Sequence, residues 1–211
     1  MDINKICILG LGYIGLPTAS TFATHGLQVT GVDTNARVVE SLRREEIHIY
    51  EPGLRTMVQA AIRSGNLVVQ SKPERADAFI IAVPTPINPE NKSADLGYVT
   101  AATESIIPYL QQGNLVILES TSPPRTTLDL VAPILERSGL QAGKDFLLAY
   151  SPERVLPGRI LQELIENARV IGGINRKSAE AGRDLYQIFD CFSLVIKPPQ
   201  CIYIPIFPNG N

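Results

Sequence analysis

The sequence has no tryptophan, two histidines, two methionines and three cysteines, and only 6% of its residues are aromatic. Cys7, Cys191 and Cys201 are odd in number and widely separated, which argues against a disulfide framework and against a cysteine metal site. His25 and His48 stand far from each other and from the cysteines, so both read as structural or exposed and no metal site is expected. Charge of one dominant sign is also missing. Nineteen Lys and Arg face 21 Asp and Glu for a net charge of −2, with no long basic run, which excludes the electrostatic footprint of a nucleic-acid binder. No apolar run approaches the ~20 residues of a membrane span. The opening "MDINKI" lacks the basic flank and apolar stretch of a secretion signal. The expectation is a cytoplasmic protein without nucleic-acid or membrane partners.

What is present is a strongly alternating pattern. Hydrophobic residues make up 45% of the 211-residue chain and charged residues 19%, a balance that supports a packed core in one large α/β domain. Residues 5–10, 28–33, 67–70, 78–83, 114–120, 146–150 and 169–173 read as strands. Residues 14–26, 35–44, 52–64, 98–110, 125–137 and 176–189 read as helices, with Pro52 suited to a first helical turn. Apolar strands without polar alternation, separated by helices, predict a Rossmann-type doubly wound parallel sheet with helices on both faces. Ligands in such a fold bind outside the carboxyl ends of the strands. Residues 190–211 differ: they are apolar, carry four prolines and one charge beyond Asp190, and do not read as a further strand–helix unit. The expected division is a domain over 1–189 and a divergent tail over 190–211.

The segment "GLGYIG" places Gly10, Gly12 and Gly15 between the first strand and the first helix. That spacing alone is weak, but strand before and helix after are the context a dinucleotide cradle needs. Gly10 permits the tight turn, Gly12 leaves room for a pyrophosphate, and Gly15 lets helix and strand pack closely. Tyr13 and Ile14 lead into the helix, whose N-terminal N–H groups favour phosphate. Asp33 follows Gly15 by 18 residues, close to the roughly 20 at which an acid takes up a ribose 2′-hydroxyl. A carboxylate there repels a 2′-phosphate, so the expected cofactor is NAD rather than NADP. Arg37, one turn into the next helix, is placed to lay its guanidinium over the adenine.

Further segments follow in order: "IYEPGL" (49–54), "AVPTP" (82–86), "LESTSPP" (118–124), "SPERVLPG" (151–158) and "RVIGG" (169–173). With the glycine loop they resemble the nucleotide-sugar 6-dehydrogenases, the UDP-glucose/GDP-mannose dehydrogenase family, over residues 1 to about 189. "EEIHIYEPGL" and "PERVLPG" are most similar to the branch acting on UDP-N-acetyl-D-mannosamine, with UDP-glucose or UDP-N-acetylglucosamine as alternative substrates. The resemblance implies a four-electron oxidation of a sugar C6 alcohol to the carboxylate with two NAD. It also implies roles at matching positions. Thr85 and Thr121 would line the nicotinamide, Glu153 would sit at the reacting carbon and position water, and Arg154 and Gly158 would approach the UDP-sugar. Read on their own, Thr85 and Thr121 equally suit strand-end residues bonding loop backbone. Glu153 after Pro152, read on its own, better suits a first-turn helix carboxylate favoured by the dipole, and Glu51 before Pro52 takes the same account.

The resemblance stops near residue 189. Family members continue into a helix bearing Glu, Lys and Asn, a cysteine in a Gly-Gly-His-Cys setting, and a UDP-binding domain. Cys191 and Cys201 have no adjoining His or Arg to lower a thiol pKa and are not expected to be catalytic. The tail therefore reads as truncated or divergent, a shifted reading frame being one origin. Two functions stay open: the NAD-binding half of a dehydrogenase, or a non-catalytic NAD-binding module that docks on a partner, with a homodimer or a second chain supplying the missing half.

Overall fold

In a computed structural model, residues 2–189 and 193–196 are described. The first half runs β1 (Lys5–Leu9), α1 (Gly15–Thr24), β2 (Gln28–Val32), α2 (Ala36–Arg43), α3 (Leu54–Arg63), β3 (Leu67–Gln70) and β4 (Ala78–Ile81). The second runs α4 (Gly97–Ile106), β5 (Leu115–Leu118), α5 (Ala132–Glu136), β6 (Leu147–Tyr150), α6 (Ile160–Glu166), β7 (Arg169–Gly173), α7 (Arg176–Tyr186) and β8 (Ser193–Ile196). The strands form one eight-stranded sheet in the order β3-β2-β1-β4-β5-β6-β7-β8. All neighbours are parallel except β6 and β7, which pair antiparallel through Ala149↔Gly173 and Tyr150↔Gly172.

The apolar runs are unbroken because both faces of the sheet are covered. Ile6 and Ile8 of β1, Ala78 and Ile80 of β4, and Leu115 and Ile117 of β5 face a core completed by α1, α3 and α7. The alternate residues Cys7, Leu9, Phe79, Ile81, Val116 and Leu118 face a second core completed by α4 and α5. Chain direction across the sheet reverses between β1 and β4, and the crevice at their carboxyl ends is where this fold binds its ligand.

The structure departs from the sequence expectations at defined places. Helix 52–64 begins later, at Leu54, with Gly53 as a left-handed cap at φ 80°, so Pro52 precedes the first turn instead of lying in it. Helix 125–137 splits into a π-helical turn, Thr127–Val131, and a short α5 with Pro133 in its first turn. A proline there has no N–H to continue a regular ladder. Helix α6 was not expected, although its apolar residues at 160, 161, 164 and 165 recur at helical spacing. The sheet also extends past residue 189, since Ser193–Ile196 pairs parallel with β7 from Arg169↔Ser193 to Gly172↔Ile196. The rest of the tail, with Cys191 and Cys201, lies outside the described residues. Among the described residues no helix is long and apolar enough to cross a membrane.

Candidate functional site

The glycine turn separates its three glycines by what surrounds them. Gly10 has φ 93° and donates its N–H to the Val32 carbonyl at 2.8 Å. A Cβ on Gly10 would come 2.6 Å from the Ala82 carbonyl oxygen, and one on Gly15 would collide with the Gly10 carbonyl oxygen. Around Gly12 a Cβ would meet nothing within 4 Å. Gly10 and Gly15 are thus required by the fold itself, whereas Gly12 keeps empty space beside the backbone. That space opens into a cavity of about 670 Å³ lined by Gly10, Gly12, Tyr13 and Ile14 on one side, Asp33 and Val38 on a second, and Ala82–Pro84 with Tyr98 on a third. Helix α1 starts beneath it without a side-chain cap; the Leu16 N–H donates to the Gly12 carbonyl at 3.1 Å and Pro17 has none, so the glycine turn just ahead of them is what the helix end offers a ligand.

Asp33 lies one residue past β2 and holds the turn: Oδ2 accepts the Leu11 N–H at 3.0 Å and Oδ1 accepts the Asn35 N–H at 2.8 Å. Each oxygen keeps further acceptor capacity toward the cavity. Asn35 caps α2 by accepting the Arg37 N–H at 3.0 Å. Arg37 is exposed on the first turn of α2 and is not among the residues lining the cavity. His48 does line the cavity, a position its sequence context did not signal.

At the carboxyl ends of β4, β5 and β6 the loops are stitched together. The Thr85 hydroxyl donates to the Thr121 carbonyl at 2.6 Å, and the Thr121 hydroxyl donates to the Glu153 carbonyl at 3.4 Å. In this state both hydroxyls do serve loop backbone. The segment carrying Glu153 is not helical, which removes the helix-start account of that residue. Its Oε1 accepts the Arg154 N–H at 2.7 Å, and its Oε2 lies 2.7 Å from Arg169 Nη2. Arg154 itself donates from Nη2 to the Ala168 carbonyl at 2.7 Å.

Beneath this edge lies a buried charged cluster. The Arg169 side chain is 4% exposed and its Nη1 sits 3.1 Å from Glu119 Oε1. The guanidinium lies 4.0 Å over the Tyr186 ring, and the Tyr186 hydroxyl donates to Glu119 Oε1 at 3.0 Å. Burial pushes the Glu119 carboxyl up to about 7, against the pull of the Arg169 guanidinium and with the push of the Glu153 charge. Burial, then the Glu119 charge, also raise the Tyr186 hydroxyl well above its usual range.

Glu51 has a different task from the one its sequence suggested. It is 4% exposed and reaches across the fold to accept the N–H groups of Gly158 at 2.7 Å and Ile160 at 2.8 Å. It caps α6 from a distance, where the chain passes Gly158 at φ 92°. Sequence reasoning missed Glu119, Arg169, Tyr186 and the reach of Glu51. The available signal was a charge flanking an apolar strand, Glu119 after "LVIL" and Arg169 before "VIGG", since buried charge demands a partner. Cys7 is buried mid-strand and its thiol is pushed up to about 12, which makes it inert.

A doubly wound sheet with an open glycine turn, an uncapped helix N-terminus and an acid after the second strand, all at the reversal point, is a dinucleotide-binding domain. Residues 4–190 match the NAD binding domain of the UDP-glucose/GDP-mannose dehydrogenase family, and the chain belongs to that family. It is 52% identical over 191 residues to a UDP-N-acetyl-D-mannosamine dehydrogenase of Methanococcus maripaludis, covering 89% of this chain and 43% of that protein. It is 46% identical over 196 residues to an NDP-N-acetyl-D-galactosaminuronic acid dehydrogenase of Ralstonia solanacearum, covering 90% of this chain and 46% of that protein. The native structure of a UDP-N-acetyl-mannosamine dehydrogenase from Staphylococcus aureus superposes with a TM-score of 0.89 at 44% identity, over 93% of this chain and 48% of that one. The chain thus spans less than half the length of these relatives.

Proposed function

We propose that this chain is the cofactor-holding half of a nucleotide-sugar 6-dehydrogenase acting on UDP-N-acetyl-D-mannosamine, in the cytoplasm. The observation that carries the reading is the empty space kept at Gly12 above the α1 N-terminus, in one crevice with Asp33. The residues fit NAD. Gly10, Gly12, Tyr13, Ile14 and Gly15 would hold the pyrophosphate, Asp33 the adenine ribose, and Arg37 the adenine after a swing of its exposed side chain. Thr85 and Thr121 would exchange their loop bonds for the nicotinamide amide. NAD supplies a hydride acceptor when bound. Glu153, at the same edge, would orient water or take a proton beside the reacting carbon, as a partly buried carboxylate can. Arg154 and the turn at Gly158 would face the sugar nucleotide.

Completing the acid requires a thiolate to trap the aldehyde, and the buried thiol of Cys7 cannot provide one. We therefore expect this chain alone to bind cofactor without producing the uronic acid. Calorimetry with NAD tests the core of the reading. Wild type should bind, and Gly12→Val should fold yet lose roughly two orders of magnitude in affinity, about 2.8 kcal/mol. A folded Gly12→Val chain that binds NAD like wild type would overturn it.

A further inference from the structure

We propose that Arg169 is the positioning residue for Glu153: from the start of β7 it grips the Glu153 carboxylate with one guanidinium nitrogen while the other is anchored on buried Glu119. The proposal rests on Glu153 being the carboxylate that faces the reacting carbon. Three features of the cluster support it.

The first is the division of contacts. Nη2 lies 2.7 Å from Glu153 Oε2 and Nη1 lies 3.1 Å from Glu119 Oε1, so one rigid plane joins the ends of β5 and β6. The second is that the guanidinium cannot drift. Its face rests on the Tyr186 ring at 4.0 Å, and Tyr186 is held in turn by its hydroxyl on Glu119. A planar fork stacked on an aromatic face is a geometry lysine does not reproduce. The third concerns Glu153 itself. It sits on a non-helical loop, and its backbone N–H donates to the Glu119 carbonyl at 3.2 Å. The main chain is thus fastened to Glu119 and the side chain to Arg169, and without Arg169 the carboxylate keeps, among the described residues, only the Arg154 N–H on Oε1.

Charge balance agrees with the geometry. Among the described residues the Arg169 guanidinium faces two carboxylates, and burial favours the neutral form of Glu119. Glu153 is then the one of these two that sets its charge against Arg169, and Tyr186 and Ser151 are among the polar side chains bonded to the cluster.

The test is carboxylate footprinting of the full chain with a carbodiimide and glycinamide, read by mass spectrometry at Glu153. In wild type Glu153 should label slowly, since its side chain is 8% exposed. Arg169→Met leaves two carboxylates facing no guanidinium and is exposed to misfolding. The informative variant is therefore Arg169→Met combined with Glu119→Gln, which takes out the guanidinium together with the buried carboxyl on which it is anchored. Its labelling at Glu153 should rise roughly fivefold or more while Asp33 and Glu51 stay within about twofold of wild type. Arg169→Lys, with a single point charge, should fall between, and Glu119→Gln alone should label like wild type. A folded double variant that labels Glu153 at the wild-type rate would overturn the proposal, as would a uniform rise at all carboxylates. Labelling involves no cofactor. Failure of the wild-type chain to bind NAD would therefore sink the functional reading and leave this comparison standing.

Discussion

Two regions at the carboxyl edge of the sheet are built by opposite means. The cradle after β1 is made by leaving side chains out: Gly12 faces open space, Gly10 and Gly15 let backbones touch, and one acid, Asp33, holds the turn through backbone N–H groups. The edge after β5 and β6 is made by putting charges in. Glu119, Glu153, Arg169 and Tyr186 converge from four separate places in the chain into a site shielded from water. At Gly12 the cradle should therefore be tolerant in folding and sensitive in binding, because the space there is already empty. The charged edge should behave the other way, because each of its members neutralises or satisfies another.

The sharpest way to break that contrast is Arg169→Met. Removing one partner from a buried pair leaves the others uncompensated, and such losses run to about 3–5 kcal/mol. Urea unfolding should show a drop of that size, whereas Gly12→Val should unfold close to wild type. Similar midpoints for the two variants would show that the charged edge carries no more of the fold than the cradle does.

Acidity gives a second handle on the same edge. The folded value of Glu119, about 7, lies above its ordinary value near 4.5, so folding favours the protonated form. The contribution is fully present below the ordinary value and is lost as pH rises through about 7. At 1.36 kcal/mol per unit, wild-type stability should fall by on the order of 3 kcal/mol across that window. Glu74, whose carboxyl is lowered by the Thr30 hydroxyl bond, changes its contribution only below the ordinary range and does not overlap. Urea unfolding of wild type and Glu119→Gln through the window should give a sloping and a flatter profile. Parallel profiles would remove Glu119 as the source.

The contrast also explains what could be read in advance. The cradle was legible because its parts are close in sequence. A strand, three glycines, a helix and an acid all fall between residues 5 and 33, and each has a local signature. The sheet was legible for the same reason, since its strands are continuous apolar runs. The charged edge was not, because its meaning lies in pairings across 50 residues, Arg169 to Glu119, and 67, Tyr186 to Glu119. Resemblance to a family pointed to Glu153 but gave no reason for its neighbours. The antiparallel turn of β7 was hidden similarly, because an apolar strand carries no mark of its direction. Helix α6 was missed because seven residues hold too few turns for the pattern to stand out.

Cofactor choice sharpens the cradle side of the comparison. Asp33 spends one lone pair on Leu11 and one on Asn35, and what remains can accept from a 2′-hydroxyl but only repel a 2′-phosphate. NAD should bind more tightly than NADP by about 1–3 kcal/mol, the cost of an unmatched polar group. Calorimetry with both cofactors measures it. Equal affinities would remove Asp33 from its role, with Arg37 the nearby cation to examine by Arg37→Ala.

The smallest expected effect lies where the two regions meet. Glu51 follows closely on His48, which lines the cofactor cavity, and its carboxylate accepts from Gly158 and Ile160 on the loop after Glu153. The contact joins the cradle half to the charged-edge half by a single side chain. Glu51→Gln keeps the shape and one acceptor oxygen but turns an amide N–H₂ toward a backbone donor, so one of the two N–H groups loses its partner. The favourable charge at the α6 N-terminus is lost as well. Together these should cost about 1–2 kcal/mol. The loss should be local, because α6 is short and touches the first core only through partly buried Leu161. Amide exchange at Gly158 and Ile160 should therefore accelerate by roughly tenfold, while amides in β1 and β4 exchange as before. NAD affinity should stay within about threefold, since Glu51 itself does not line the cavity. Acceleration at β1 and β4 as well would mean that Glu51 holds the whole fold together, and the division into two separately built regions would fail.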